Sequence, residues 1–581
     1  MRVSLKPAHF TFKVCALAFL LAVTLPAAPF NPVHARHAMV SSVHELASRA
    51  GVEIMQAGGN AVDAAVATGF ALAVVHPQAG NIGGGGFLLL RKADGQVHFI
   101  DFRERAPAAA TENMYLDAKG NVIPGLSVVG YKAVGVPGSV AGLVYAQKKY
   151  GKLPLAQVIA PAIKLARDGF PLAYEDALEI KEEDHLADFA DSRRIFQRDG
   201  NFYRPGEILK QPDLARTLER IAKDPDDFYH GALARELAAA IQKGGGIVTA
   251  ADLAAYEVKE REPVRGTYRG YDIIGAPPPS SGGAIMIEIL NILEGFDLAK
   301  TGNRSAETIH LTVEAFRRAF YDRADFMGDP DFAKVPVPQL IDKKYAAAWR
   351  ETIDPIHASA SKDLKRPPFA DLERVASRRV ALPEPENTTH YSVVDPEGNA
   401  VAVTTTLNDS FGSRVTADGL GFLLNDEMDD FASKQGVPNN YGLIQGPANA
   451  IGPNKRPLSA MTPTMVLKDG KLLLVLGSPG GPRIITTVAN ILMGVIDFDL
   501  DIQESVNAPR FHHQWLPDQI DVEDRLSPDT MNLLRSKGHV LNIKHGVSQY
   551  SGDGECIMVD PKTGERLGAS DGRNNGKAVG F

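Results

Sequence analysis

Cysteine is almost missing from this chain. Two occur in 581 residues, Cys15 and Cys556. Cys15 falls inside an N-terminal leader, so a processed chain keeps a single thiol and no intramolecular disulfide can form. An excess of positive charge is missing too. The formal net charge is −8, which argues against a nucleic-acid partner. Beyond the leader, no apolar run is long enough to span a bilayer. No internal repeat is present. Metal-ligand patterns are sparse. His512 and His513 are adjacent, so on a strand or turn they point opposite ways and suit packing better than a shared metal. Asp429-Asp430 lacks the fuller oxygen set that Ca²⁺ requires. No metal or cofactor is expected.

What is present is globular. The chain is 44% hydrophobic and 23% charged, and long enough for a large core or two. Arg2, Lys6 and Lys13 precede an apolar run from Val14 to Leu25, followed by Pro26-Ala27-Ala28. That is a signal-peptide pattern. Cleavage after Ala28 or after Ala35 fits, and Ala35 is taken as the boundary, giving 1–35 as leader. Export without disulfides is compatible with a bacterial periplasm when the core is large.

Helical pattern runs from Ser42 to Val75, broken at Gly58-Gly59-Asn60. A glycine run at 83–86 follows. Its order is helix, glycines, strand, the reverse of a phosphate loop, so it reads as a tight turn or active-site floor. Strands are expected at Phe87–Arg91 and Val97–Phe102, ending at Arg103. Residues 135–260 read as an outer helical layer, with helices at Ser139–Tyr150 and Leu155–Asp168. A strand is expected at Val264–Ile274, then a turn and a helix from Ala284. Thr308–Phe326 reads as an amphipathic helix. The second half is strand-rich, with a buried strand at Leu472–Leu476 joined by Gly477-Ser478-Pro479-Gly480-Gly481 to a helix from Pro482.

Residues 355–387 carry five prolines, many charges and few large apolar side chains, which is linker composition. This segment runs into Thr388 and a strand at 389–394. Pro396-Glu397-Gly398-Asn399 turns the chain, and 400–406 returns. If Asp395 pairs with Ala400, Thr406 lies opposite Thr389, with a slip of one or two residues possible. On its own such a hairpin reads as ordinary sheet.

Asn387-Thr388-Thr389-His390-Tyr391-Ser392-Val393-Val394-Asp395 resembles the processing site of the γ-glutamyltranspeptidases, a family of N-terminal-nucleophile hydrolases. Further stretches resemble the same family in the same order. They are Asp101-Phe102-Arg103-Glu104, Leu407-Asn408, Asn425 to Phe431, Pro453 to Ser459, and Gly477 to Gly481. The resemblance spans about residue 36 to the C-terminus. It implies a four-layer αββα sandwich built from two autoprocessed subunits, 36–387 and 388–581, with scission between Asn387 and Thr388.

The chemistry follows from that event. A threonine hydroxyl is a weak nucleophile. As a chain start it gains its own α-amine, of pKa ~7.7–8.0, as base. Thr388 is therefore the expected nucleophile and Thr406 its hydroxyl partner. Glycines at a helix start can present N–H groups to an oxyanion, and the resemblance points to Gly480 and Gly481 rather than a plain turn. A γ-glutamyl group ends in an α-carboxylate and an α-ammonium. Arg103 and Ser459 suit the first; Asn408, Glu427 and Asp430 suit the second. Residues Ser433–Gly446 resemble the family's lid, with Tyr441 as gate. One departure stands out. The family usually has two serines where this chain has Ser459-Ala460, and losing one donor to a charged group costs ~1.5–3 kcal/mol.

The resemblance implies a periplasmic enzyme with no membrane anchor after leader removal. Its donor would be glutathione or another γ-glutamyl amide, and its acceptor water, an amino acid or a peptide. Ala460 keeps open a glutaryl-type cephalosporin acylase on the same scaffold. From another class, an exported binding protein that stays uncut is the alternative.

Overall fold

The computed structural model describes residues 31–369, 388–434, 436, 437, 439, 442–545 and 552–581. Asn387 and Tyr441 lie outside the described residues, as does the leader up to residue 30.

Two seven-stranded antiparallel sheets face each other. The first runs, edge to edge, Lys577–Gly580, Met39–Ser42, Thr389–Val394, Ala400–Thr406, Gly85–Arg91, Val97–Phe102 and Lys259–Arg261. The second runs Val33–Ala35, Arg566–Ala569, Cys556–Val559, Lys471–Leu476, Thr464–Lys468, Tyr271–Gly275 and Val264–Tyr268. Strand periodicity distributes the core. Phe87 and Leu89 face the second sheet and join Met465 and Val475. Leu88 and Leu90 point the other way and join the helices Glu45–Gln56, Ala61–Val75, Ser139–Tyr150 and Leu155–Asp168. Both faces are covered, which makes the four αββα layers.

The helix break at Gly58-Gly59-Asn60 has a local cause. Gly58 takes φ 99°, and the Asn60 side chain accepts the Val62 and Asp63 N–H groups while Asp63 returns a bond to the Asn60 N–H. The helix Ala61–Val75 is then buried on every side.

Three expectations are corrected. Val264–Ile274 is not one strand but a hairpin, because Arg269-Gly270 turn the chain at φ 48° and 79°. The helix Ala306–Phe326 is buried nearly all round rather than amphipathic. Its charges are instead satisfied inside: Glu314 pairs with Arg317 and Arg318, and Asp322 with Arg366. That last pair also shows that residues 355–369, the first part of the linker stretch, are docked: the Arg366 guanidinium is buried over Tyr321 and Phe326.

The third correction concerns register. Val394 pairs with Ala400 and Thr389 with Thr405, one residue away from the expected alignment. Asp395 is not in the ladder. Its carboxylate accepts the Glu397 and Asn399 N–H groups, each at 2.9 Å, and so belongs to the turn. The slip moves Thr406 from opposite Thr389 to opposite Thr388.

Candidate active site

Thr388 immediately precedes Thr389–Val394, the third strand of the first sheet, and is 6% exposed. Its Oγ1 lies 3.2 Å from Thr406 Oγ1. Thr406 Oγ1 also accepts the Asn408 N–H at 2.9 Å, which the left-handed φ of 82° at Asn408 makes possible. The Asn408 amide nitrogen then donates to the carbonyl and carboxylate oxygens of Asp426, each at 3.2 Å. Thr406 is thus fixed by a chain of buried polar groups.

Beneath the hairpin the register is braced. His390 bonds Thr404 Oγ1 at 2.8 Å and Ser392 Oγ at 3.1 Å, and Ser392 donates to the Glu555 carbonyl. Burial holds the His390 pKa down to about 3, so the ring is neutral. The ring occupies the place a Cβ would take at Gly477, which is why a glycine ends the neighbouring strand. From there Gly480 and Gly481, at φ 122° and 50°, lead into the helix Arg483–Phe498. Among the described residues neither of their N–H groups has a hydrogen-bond partner. Gly481 lines the cleft beside Thr388, and Gly480 is one residue back.

That cleft, of about 330 Å³, gathers Thr388, Thr406, Asn408, Arg103, Glu427, Asp430, Ser459 and Gly481. Eight residues far apart in sequence therefore meet at one place. Ala460, Met461 and Leu443 add apolar wall. Tyr441, the expected gate, lies outside the described residues.

Arg103, expected to suit the donor's carboxylate, is already engaged by acids of the protein. Its guanidinium is fully buried and already bonded to Glu427 and Asp430, with Glu104 at 3.4 Å and the Pro457 and Leu458 carbonyls at 3.3 Å. Burial pushes the Glu427 carboxyl well above its usual range, with Glu104 adjacent as a like charge. The same desolvation raises Glu104 to about 7. One cation thus faces three acids, Glu104, Glu427 and Asp430, and burial raises the first two. Next to Asp430, the buried Asp429 accepts a 2.6 Å bond from Ser127.

Two residues, one beside the cleft and one lining it, escaped sequence reasoning. Glu104 follows Arg103 directly, and its neighbour's role was the available signal. Arg323 also lines the cleft, from the buried helix Ala306–Phe326. A helix read as amphipathic offered no reason to single it out.

Elsewhere, His512 and His513 serve as hydrogen-bonding core residues, through Thr486 and Gln514, and through Asp518 and the Trp515 N–H. One group among the described residues has metal-ligand spacing: His310, Glu314 and His539. Its carboxylate is paired to Arg317 and Arg318, and its two rings bond each other at 2.8 Å, so its donors are spent. Among the described residues no helix is long and apolar enough to cross a membrane.

Comparison with known proteins agrees with this geometry. The profile of the Gamma-glutamyltranspeptidase family matches residues 47–581. The chain is 50% identical to a glutathione hydrolase proenzyme of a Pseudomonas strain, over 97% of this chain and 98% of that one. It is also 50% identical to the glutathione hydrolase proenzyme of Escherichia coli K12, over 94% and 92%. A crystal structure of cephalosporin acylase from Bacillus halodurans superposes with a TM-score of 0.83 at 29% identity, covering 96% of this chain and 98% of that one.

Proposed function

The chain belongs to the γ-glutamyltranspeptidase family, and on that premise we infer that it is an exported bacterial proenzyme that hydrolyses and transfers γ-glutamyl groups from Thr388. The observation that carries this is the Thr388–Thr406 hydroxyl pair, 3.2 Å apart, opening into a cleft of cations and acids.

The precursor cuts itself first. Thr388 Oγ1 attacks the Asn387 carbonyl, the peptide nitrogen leaves as the new α-amine, and water hydrolyses the ester. The amine then takes the Thr388 proton as the same hydroxyl attacks a γ-glutamyl amide such as glutathione. Gly480 and Gly481 N–H groups stabilise the oxyanion, and the donor's amine departs. Water, or an amino acid or peptide acceptor, releases the γ-glutamyl group. Glu427, Asp430 and Asn408 suit the donor's ammonium; Arg103 and Ser459 stand on the carboxylate side. The leader pattern and the basic start support a periplasmic address. The two pieces, divided between Asn387 and Thr388, stay together as a heterodimer. The family replaces the uncut binding protein considered from sequence.

A second reading keeps its motive in Ala460. A glutaryl-type acylase would use the same nucleophile on a donor without the ammonium. Comparing γ-glutamyl-p-nitroanilide with glutaryl-p-nitroanilide decides between them. Faster turnover of the γ-glutamyl compound, with two bands on a denaturing gel and a small piece beginning Thr-Thr-His-Tyr, is expected. An active enzyme intact at that bond overturns the scheme.

A further inference from the structure

The cleft holds a second cation that nothing in the scheme uses. Arg323 is 2% exposed and faces the same space as Thr388, Ser459 and Ala460. Its Nε donates to Ser281 Oγ at 2.8 Å, and that hydroxyl donates in turn to the Ser459 carbonyl at 2.7 Å. The Ser281 N–H reaches the same carbonyl at 2.8 Å. Arg323 is thereby held one hydroxyl away from the Ser459-Ala460 segment. Its Nη1 is buried and, among the described residues, has no hydrogen-bond partner.

Arg103 differs in this respect, since acids and carbonyls engage all three of its nitrogens. The acid whose charge reaches Arg323 is Asp430, and Asp430 is already bonded to Arg103. The neighbouring acids on the helix, Asp322 and Asp325, are bonded to Arg366. Burial pushes the Arg323 pKa down to about 10 against the charge of Asp430, so the side chain remains charged at neutral pH. A guanidinium buried at a cleft wall with an open donor is a site for an anion, because a buried charge is stable only when paired.

We propose that Arg323 binds the α-carboxylate of the donor, supplying through Nη1 the donor that the second hydroxyl would give were residue 460 a serine. This deepens the γ-glutamyl reading and rests on it for the identity of the anion. The carboxylate lies between Arg323 and Ser459, while the ammonium goes to Asp430, Glu427 and Asn408. Arg103 then orders the acids as much as it binds substrate.

The test uses three donors: γ-glutamyl-p-nitroanilide with both groups, glutaryl-p-nitroanilide with the carboxylate alone, and 4-aminobutyryl-p-nitroanilide with the ammonium alone. Each is read as KM and kcat, or as an inhibition constant where turnover is too slow. Arg323→Gln is expected to raise KM roughly 10- to 100-fold for the first two and to leave the third unchanged. Self-cleavage on a denaturing gel shows that the variant has folded. Adding Ala460→Ser to Arg323→Gln is expected to recover part of the loss on the two carboxylate donors, and Arg323→Lys to lose less than Arg323→Gln. An equal loss on all three donors makes Arg323 a structural residue and overturns the proposal, as does no loss on any. A wild-type enzyme that prefers the glutaryl donor sinks the γ-glutamyl reading instead, and the contrast between glutaryl and 4-aminobutyryl donors still judges Arg323.

Discussion

The Thr388 hydroxyl lies 3.2 Å from that of Thr406, and the backbone N–H of Asn408 fixes the second at 2.9 Å. Thr406→Val keeps the shape and removes the bond. It is expected to lower kcat roughly 10- to 100-fold with little change in KM, the cost of one hydrogen bond to a group gaining charge. Steady-state kinetics on the processed variant check this. An equal effect on KM would mean that Thr406 binds donor rather than orienting Thr388.

Gly480 sits at φ 122°, a conformation that side chains rarely adopt. Gly480→Ala is expected to reduce kcat by on the order of 10²–10³ through a displaced N–H. Gly564 is also a left-handed glycine, at φ 75°, with open space around it. Gly564→Ala serves as the control for strain alone and is expected to leave kcat untouched.

Removing Arg103 strands its acids. Arg103→Gln leaves Glu427 and Asp430 buried beside Glu104 without their cation, and is expected to cost about 3–5 kcal/mol of stability. Asp430→Asn, which removes one of several acids from the same cation, is expected to cost less while still raising KM. Chemical denaturation compared with kinetics separates the two effects.

His390 stays neutral down to about pH 3 when folded, against about 6.5 unfolded. Its folded pKa is depressed. Its stability contribution is therefore complete above pH 6.5 and is lost as pH falls toward 3, because only the unfolded chain takes up the proton. The stability advantage of wild type over His390→Gln is expected to shrink by about 1.4 kcal/mol per pH unit below 6.5. Urea titrations of both proteins from pH 7 to pH 4.5 measure it.

The N-terminus offers a further check. Val33–Ala35 form an edge strand paired with Arg566–Gly568. Leader removal after Ala35 would delete that strand, whereas removal after Ala28 keeps it. Sequencing of the mature large piece is expected to begin at Pro29; a start at Arg36 would contradict this.

Much of this architecture was legible in local chemistry. Helix bounds at Ser139–Tyr150 and Leu155–Asp168 followed from periodicity and are met residue for residue. The register of the central hairpin was missed by one because Asp395 looked like the last strand residue, when its carboxylate is a turn cap. The charges on Ala306–Phe326 suggested a wet face, since their partners, such as Arg366, are remote in sequence. For the same reason Arg103 was read as an open hand. That its fingers were already held by Glu427 and Asp430 could be seen only once the chain was folded. Local motifs were enough to single out Thr388 and Gly481, which the fold brings to one cleft; the electrostatic balance among distant charges needed the folded chain.

Both sheets are woven from segments on either side of Thr388: Met39–Ser42 lies against Thr389–Val394, and Tyr271–Gly275 against Thr464–Lys468. Scission before Thr388 leaves these strand pairings in place, yet it lets the denatured halves diffuse apart. Refolding becomes second order, and its yield falls with dilution. Durability of the cut protein then rests on how slowly it opens rather than on how readily it would re-form.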